Sequence, residues 1–487
     1  MTTILSIDQG TTNTKAVLVD DAGRVLSRSS APVRLSVPRP GWAEQDAEEI
    51  WASCTVAVAG CLEGRRPPDA VAVSNQRESV VAWDARSGTP RGPLIGWQDA
   101  RTADWCARPE VAAAEPLVRA RTGLPLDPMF SAPKIRWLLQ QHGAAGTRVG
   151  TVDSWLLHRL TGGAVHRCEA GNAGRTLLYD VERLGWSAEL CEVFGVPASC
   201  LPEVLPSDAE FGRTRGVPGV RDGTPVVAVL ADSHAALYAH GCRLPGTGKA
   251  TYGTGSSVMT PTGTLQGGSA LSSTLAWLTS APCYAREGNV VTSGAALVWL
   301  AGLLQLPDVA ALLRLAAGVP DPGDVVLVPA LAGLGAPHWD RAATGTVLGM
   351  TGSTTAAHLA RAAVEAVAHQ VCDIVEVVDA ETVPLQALRA DGGATASALL
   401  MQAQADLLGR PVEVAEVAEL SALGAAHLGL AATGPQPPAA GTTRRYEPDL
   451  DEAERVRRRE RWRAAVAVAR DPRTRPGGGP GTTLGTG

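Results

Sequence analysis

The stretch that decides the fold is residues 4–19, ILSIDQGTTNTKAVLV. Two apolar runs flank the polar residues Asp8–Thr12, which predicts a β-hairpin with glycine and threonine at its bend. Residues 249–260, KATYGTGSSVMT, repeat this design half a chain later. Such bends let backbone N–H groups and hydroxyls approach phosphate oxygens, although each one alone is also typical of an ordinary turn. Two similar hairpins predict two related halves.

Further strands and helices are expected around these hairpins. Residues 71–74 and 80–83 read as strands, and residues 47–61 and 131–141 read as helices, which indicates an α/β architecture. In residues 388–395, LRADGGAT, a glycine pair stands between a strand and a helix. That pair could let an adenine lie against bare backbone, or it could be an ordinary strand–helix turn. Residues 450–468 predict a charged helix, and residues 471–487 predict a disordered tail.

Composition excludes several functional classes. The chain has 487 residues, is 45% hydrophobic and 19% charged, and carries a net charge of -6, which disfavours nucleic acid or an anionic membrane as its partner. Nine scattered cysteines without a C-x-x-C motif argue against a disulfide framework or a zinc site. The sequence shows neither a signal peptide nor an unbroken apolar span. We therefore expect a cytoplasmic protein.

Phosphate-binding motifs of the commoner kinds are missing, but eight other segments occur in a specific order. There is no G-x-x-x-x-G-K-[ST] loop. The segments are Asp8–Thr12, Ser74–Glu78, Met129–Trp137, Thr151–Leu156, Tyr252–Gly255, Gly333–Trp339, Asp391–Ala394 and Ala422–Ala426. Together they resemble the FGGY carbohydrate kinases, and within that family the glycerol kinases, from about residue 4 to about residue 463.

The resemblance implies two actin-like, ribonuclease-H-like domains with an active-site cleft between them, which closes during the cycle. We expect an N-terminal domain over residues 1–242 and a C-terminal domain over residues 243–470. The implied cofactors are ATP and Mg²⁺, and the implied partner is a small polyol or sugar. We also expect a homo-oligomer, either a dimer or a tetramer.

The resemblance also implies roles for individual residues. Asp232 is the implied catalytic base, although its position alone favours a cap of the following helix. The implied substrate contacts are Arg77, Glu78, Trp97, Met129, Asp232 and Ser233. The implied ATP contacts are Thr11, Thr12, Asn13, Lys15, Thr254, Gly294, Gly393 and Ser397, and the implied metal ligands are Asp8 and Asp232. Arg77 and Glu78 could instead form a surface ion pair, and Gly294 could be a helix-packing glycine. His234 is interpreted as a structural residue or a substrate contact.

Three positions depart from the glycerol kinase pattern. Met129 stands where that pattern has tyrosine, Ser233 where it has glutamine, and Ser257 where it has an aromatic residue. The leading reaction is phosphorylation of glycerol to glycerol 3-phosphate. The alternative is a kinase for a larger polyol or ketose, such as erythritol, a pentitol, xylulose or ribulose. A more distant alternative is an actin-like ATPase that acts on no sugar.

Overall fold

The N-terminal half is built on a six-stranded sheet. The computed structural model describes residues 2–268, 270–415, 417–434 and 437–474. In sheet order the strands are Gly212–Arg213, Pro225–Ala231, Ala70–Asn75, Thr3–Gln9, Asn13–Asp20 and Val25–Pro32. The strand Thr3–Gln9 pairs antiparallel with Asn13–Asp20 and parallel with Ala70–Asn75. The predicted hairpin is therefore confirmed, with Asp8 inside its first strand rather than in the turn.

The C-terminal half is built on a seven-stranded sheet with the same central plan. Its strands, in sheet order, are Ser272–Leu278, Pro282–Val290, Ser256–Pro261, Lys249–Tyr252, Leu388–Asp391, Val412–Ala415 and Thr442–Tyr446. The strand Lys249–Tyr252 pairs antiparallel with Ser256–Pro261 and parallel with Leu388–Asp391. Each sheet thus combines one hairpin, two further parallel strands and an antiparallel strand at each edge, and the C-terminal sheet has the additional strand Pro282–Val290 between its hairpin and one edge. This repetition confirms the prediction of two related halves.

Helices cover the sheets, and smaller sheets lie beside them. The α-helices are Ala47–Leu62, Ala103–Cys106, Pro109–Ala112, Glu115–Thr122, Ser131–His142, Val152–Leu160, Ala170–Gly174, Ala188–Phe194, Asp232–Ala239, Gly294–Leu303, Val309–Ala316, Ala356–Glu381, Ala398–Leu408, Leu420–Thr433 and Glu452–Arg470. The 3₁₀ turns are Ala198–Cys200, Gly393–Ala396 and Pro472–Thr474. One small sheet has four strands, namely Glu44–Gln45, Leu94–Ile95, Val80–Asp84 and Thr147–Thr151. Three two-stranded sheets pair Tyr179–Asp180 with Gly185–Trp186, Glu203–Leu205 with Arg167–Glu169, and Val326–Val328 with Thr346–Leu348.

The N-terminal sheet is buried on both faces, which explains its continuous apolar strands. Every residue of Thr3–Gln9 is buried. Leu5 and Ile7 pack into the cluster that contains the helix Ala47–Leu62. Ile4 packs on the other face with the helices Asp232–Ala239 and Leu420–Thr433. In such sheets, ligands bind outside the carboxyl ends of the parallel strands, and Asp8 and Asp232 lie at these ends.

The predicted ends of the chain need one correction. Pro472–Thr474 form a 3₁₀ turn, so regular structure continues past residue 470, where the disordered tail was expected to begin. The remainder of that predicted tail lies outside the described residues. The boundary between the domains at residue 242 stays a prediction. Within the described ranges, no helix combines the length and the apolar character needed to cross a membrane. The expected cytoplasmic location and homo-oligomeric state also stay predictions.

Candidate active site

Two carboxylates stand at neighbouring strand ends in the N-terminal half. Asp8 is buried, and one of its oxygens accepts a hydrogen bond from Ser74 Oγ at 2.8 Å. Burial raises the pKa of Asp8, although Ser74 and Lys15 act in the opposite direction. Asp232 follows the strand Pro225–Ala231 and is the first residue of the next helix.

Asp232 does not cap its helix. The N-cap position is Ala231, and the Asp232 carboxylate accepts only the N–H of the adjacent Ser233, at 2.6 Å, among the contacts that the structure describes. About a third of the side chain, 36%, is exposed. The carboxylate is therefore free to meet a ligand, which leaves the catalytic interpretation open and removes the alternative of a helix cap.

Charges on several elements set the protonation of Asp232. Burial in the cleft raises its pKa to about 6, Arg77 opposes this shift, and Asp8 and Glu78 add to it. Arg77 Nε lies 3.4 Å from Asp232 Oδ1. With this pKa the group is ionised at neutral pH and is still basic enough to accept a proton, as a general base must.

Arg77 and Glu78 belong to a buried network rather than to a surface ion pair. Arg77 Nη2 donates to Glu287 Oε1 at 2.7 Å, and Arg175 Nη1 lies 2.7 Å from Glu287 Oε2. Arg175 Nε also donates to Glu78 Oε1 at 2.6 Å, while the direct Arg77–Glu78 separation is 3.9 Å. Glu287 comes from the C-terminal half, so the network joins the two halves.

Sequence reasoning missed Arg175 and Glu287. Glu287 is 210 positions from Arg77, and no local spacing connects them. The available signal was a pair of charged residues, Arg286 and Glu287, inside the otherwise uncharged strand Pro282–Val290. A charge in a buried strand requires a partner, and this would have marked Glu287 for attention.

Of the remaining predicted substrate residues, Trp97 and Met129 lie on loops, and Ser233 lies in the first turn of the helix Asp232–Ala239. Trp97 is 38% exposed, and its Nε1 donates to Thr11 Oγ1 at 3.1 Å, so the tryptophan contacts the first hairpin. Met129 and Ser233 are half-buried. His234 is fully buried, so it does not present its ring to a substrate in this structure, and burial lowers its pKa well below the ordinary value.

A buried lysine joins two of these loops. Lys134 Nζ donates to Met129 O at 2.6 Å and to Gly96 O at 3.1 Å, and Gly96 immediately precedes Trp97. The side chain is fully buried, and burial lowers the pKa of Lys134 to about 7, although nearby carboxylates raise it. Lys134 therefore connects the backbone of Met129 with the backbone next to Trp97.

The bend of the first hairpin is open to solvent. Gly10 N donates to Asn13 O at 3.0 Å and closes the bend, while Thr12 and Asn13 are exposed and Thr11 is half-buried. Lys15 is half-buried and pairs with Asp8 in the strand register. A ligand could therefore reach the hydroxyls and amide of the bend, as phosphate binding requires.

The second hairpin packs closely on the helix Gly294–Leu303. Thr254 is exposed at the bend. Gly294 N donates to Gly253 O at 3.1 Å, and a Cβ on Gly294 would lie 2.4 Å from that oxygen. This contact explains the glycine as a helix-packing residue, and its predicted role toward ATP stays a prediction.

The glycine pair after the strand Leu388–Asp391 has two different environments. Gly392 has a φ of +96°, and a Cβ there would lie 2.4 Å from Tyr252 O. A Cβ on Gly393 would meet nothing within 4 Å. Ser397 caps the helix Ala398–Leu408, because its Oγ accepts the N–H of Leu400 at 3.2 Å. Gly392 is thus required by packing, while Gly393 presents bare backbone to open space.

The carboxylates fit a magnesium ion better than a metal of the zinc type. Over the described ranges, no three His, Cys, Asp or Glu side chains form a metal-binding group. All nine cysteines are free. Mg²⁺ instead uses one or two carboxylates together with water and substrate phosphates. Asp8 and Asp232 are close enough to raise the pKa of Asp232 by repulsion, and they offer the oxygen ligands that Mg²⁺ prefers.

Two halves that repeat one sheet plan around a central β-hairpin define a protein of the actin-like, ribonuclease-H-like class. Its family follows from comparison with known proteins. The chain belongs to the FGGY family of carbohydrate kinases, whose N-terminal domain matches residues 3–239 and whose C-terminal domain matches residues 248–433.

Relatives that are named for different substrates are similar to this chain to nearly the same degree. An apulose kinase of Pectobacterium atrosepticum is 43% identical over 88% of each chain. Glycerol kinase 2 of Thermotoga maritima is 39% identical over 95% of this chain and 98% of its own. Among solved structures, Plasmodium falciparum glycerol kinase with ADP superposes with a TM-score of 0.90 at 27% identity, covering 96% of this chain and 98% of its own.

Proposed function

We propose that this carbohydrate kinase transfers the γ-phosphoryl group of ATP to a hydroxyl of a small polyol or ketose, with Asp232 as the base. The observation that carries the proposal is the Asp232 carboxylate, which is exposed in the cleft, ionised at neutral pH and 3.4 Å from Arg77. Phosphoryl transfer needs a group that orients the acceptor hydroxyl and accepts its proton.

The other predicted residues divide between the acceptor and ATP. Arg77 donates to acceptor hydroxyls, Glu78 accepts from them, and the ring of Trp97 covers the carbon chain. Asp8 and Asp232 would hold Mg²⁺, which supplies charge neutralisation on the phosphates. The predicted ATP contacts are Thr11, Thr12, Asn13, Lys15, Thr254, Gly294, Gly393 and Ser397. The open bends and the bare Gly393 backbone support these roles.

Glycerol is the leading acceptor. Arg77, Glu78, Trp97 and Asp232 match the glycerol kinase pattern, and relatives named glycerol kinase cover nearly the whole chain. A site built from donors and acceptors discriminates strongly against molecules that leave its polar groups unpaired. Retention of these four residues therefore supports a short chain of hydroxyl groups as the acceptor.

A larger ketose or polyol is the second candidate. Met129, Ser233 and Ser257 replace two aromatic rings and an amide of the glycerol kinase pattern, which leaves more room and fewer polar partners. The similarity to a protein named apulose kinase favours this candidate independently.

The deciding experiment measures ADP release with Mg-ATP and a panel of glycerol, erythritol, pentitols, ribulose and xylulose. Saturable turnover with glycerol alone would identify a glycerol kinase, and preference for a longer acceptor would identify the second candidate. Ser233→Gln is a matched test, because it restores the missing amide and should shift preference toward glycerol. ATP hydrolysis that no acceptor changes would contradict the proposal and favour an actin-like ATPase.

A further inference from the structure

Glu287 is a charged residue at the centre of the molecule that the proposed reaction does not use directly. It lies on the strand Pro282–Val290, opposite Met259 of the second hairpin. None of its side chain is exposed. Burial raises the pKa of Glu287, but Arg175 and Arg77 outweigh this effect and lower the pKa below its ordinary range. The carboxylate is therefore ionised although its side chain is not exposed to the surface.

The partners of Glu287 come from the other half of the molecule. Its two oxygens contact Arg77 Nη2 and Arg175 Nη1, each at 2.7 Å. Arg175 is 1% exposed and also binds Glu78 at 2.6 Å. The four side chains form a closed arrangement of alternating charge, in which buried groups are strongly coupled.

Arg77 has three carboxylates within reach, and their distances rank them. Glu287 is hydrogen-bonded at 2.7 Å, whereas Asp232 lies at 3.4 Å and Glu78 at 3.9 Å. The other groups that face Asp232 are Asp8 and Glu78, which repel it. If Glu287 lost its charge, Arg77 would keep only Asp232 and Glu78 as partners. It would then move toward Asp232 and form a direct hydrogen-bonded pair.

We infer that Glu287 is a positioning residue for the acceptor site, which holds Arg77 away from Asp232 so that both side chains can meet the acceptor hydroxyls. This inference rests on the proposed function. Glu287, which lies on the sheet of the second half, would then control acceptor binding in the first half.

The test compares Glu287→Gln with Glu365→Gln. Glu365 is a matched control, since it is also buried between two arginines, Arg361 at 3.2 Å and Arg458 at 3.0 Å, but lies on the long helix Ala356–Glu381 away from the cleft. Both variants should lose stability. Only E287Q should lower kcat/KM for the acceptor, by about 100-fold if Arg77 is misplaced by about 1 Å. The Kd for ATP measured without Mg²⁺ should change by less than about twofold, because none of the described contacts of Glu287 involves a predicted ATP residue.

Crystal structures provide a readout that does not depend on turnover. In E287Q, Arg77 should lie closer to Asp232 than 3.4 Å. In the unmodified protein soaked with the acceptor, Arg77 should keep its bond to Glu287. Three outcomes would each overturn the inference: equal kinetic losses in E287Q and E365Q, an Arg77 that does not move in E287Q, or loss of the Arg77–Glu287 bond when the acceptor binds.

If the unmodified protein phosphorylates no acceptor of the panel, the proposed function fails, and the structure of E287Q still decides the role of Glu287. If E287Q does not fold, the soaked structure of the unmodified protein decides it.

Discussion

Asp232 shows how one carboxylate can be both ionised and available. An arginine in direct contact would lower its pKa and occupy its oxygens, while burial without a cation would keep it protonated. At 3.4 Å, Arg77 offsets part of the effect of burial and of the neighbouring carboxylates Asp8 and Glu78. Asp232 is therefore ionised, and Arg77 does not occupy its oxygens with a direct hydrogen bond.

The first prediction removes this base. Asp232→Asn keeps the size of the side chain but cannot accept a proton, so kcat should fall by at least about 100-fold. Arg77 retains its bond to Glu287, so the fold should persist. Calorimetric titration without Mg²⁺ should give the same Kd for ATP as in the unmodified protein, because Asp232 is predicted to meet ATP through the metal rather than directly. Turnover within a factor of a few of the original would show that Asp232 is not the base.

The second prediction concerns Lys134 and the free energy of unfolding. Its pKa is about 7 when folded, whereas an unfolded lysine has a pKa of about 10.4. Between these values the unfolded chain binds more protons, so the stability contribution of Lys134 rises with pH. Between about pH 7 and about pH 9 this gain should be about 2 kcal/mol.

Lys134→Met removes this pH-dependent term. Urea unfolding of both proteins across that range should show the unmodified protein gaining stability relative to K134M as the pH rises. Differences from other groups cancel in the comparison. Parallel curves would mean that Lys134 does not deprotonate in the folded state.

At the scale of single elements, the strand–turn–helix at residues 388–408 contains two adjacent glycines with different surroundings. Both residues look alike in the sequence, where they form one glycine pair. In the structure, only Gly392 has a positive φ and a close backbone neighbour, Tyr252 O. Gly393 has open space on the side where a Cβ would stand.

The third prediction tests this separation with one extra methyl group at each position. Gly393→Ala should change the free energy of unfolding by less than about 0.5 kcal/mol but raise the KM for ATP, because the methyl group would enter the predicted adenosine site. Gly392→Ala should lower the free energy of unfolding by about 1 to 3 kcal/mol. Thermal unfolding and ATP kinetics measure both effects. An unchanged KM in G393A would remove Gly393 from the ATP site.

The elements themselves were predictable, because each depends on neighbours in the sequence. The two hairpins, the helix Ala47–Leu62 and the helix Ser131–His142 carry their patterns within a few residues and were found from them. The role of Glu287 depends on a partner 210 positions away and on the packing of one half against the other. A charge in a buried strand marks Glu287 in the sequence, but no local pattern identifies a partner 210 positions away, so its pairing with Arg77 could be recognised only in the folded molecule.

At the scale of the whole molecule, the ion pairs between the halves differ in their exposure to solvent. The Arg77–Glu287 bond is buried at the centre. A second ion pair joins Arg341 of the C-terminal half to Asp127 of the N-terminal half, and Arg341 is 75% exposed. Asp127 also accepts the N–H of Met129 at 2.9 Å, so this outer pair steadies a predicted substrate loop. Salt screens exposed pairs far more than buried ones.

The last prediction uses this difference in screening. Because an exposed pair contributes little to folding, Arg341→Ala should leave the free energy of unfolding within about 0.5 kcal/mol of the original. The acceptor KM of the unmodified protein should rise between about 50 mM and about 500 mM NaCl, since screening weakens the hold on Asp127. In R341A the KM should already be high and should depend little on salt. Arg213→Ala is the control, because Arg213 pairs with Glu210 on the surface of the N-terminal half alone, and it should behave like the unmodified protein. If R341A and R213A respond alike, the outer pair has no part in acceptor binding, and the buried contacts of Arg77 and Arg175 with Glu287 remain as the connection between the halves at the site.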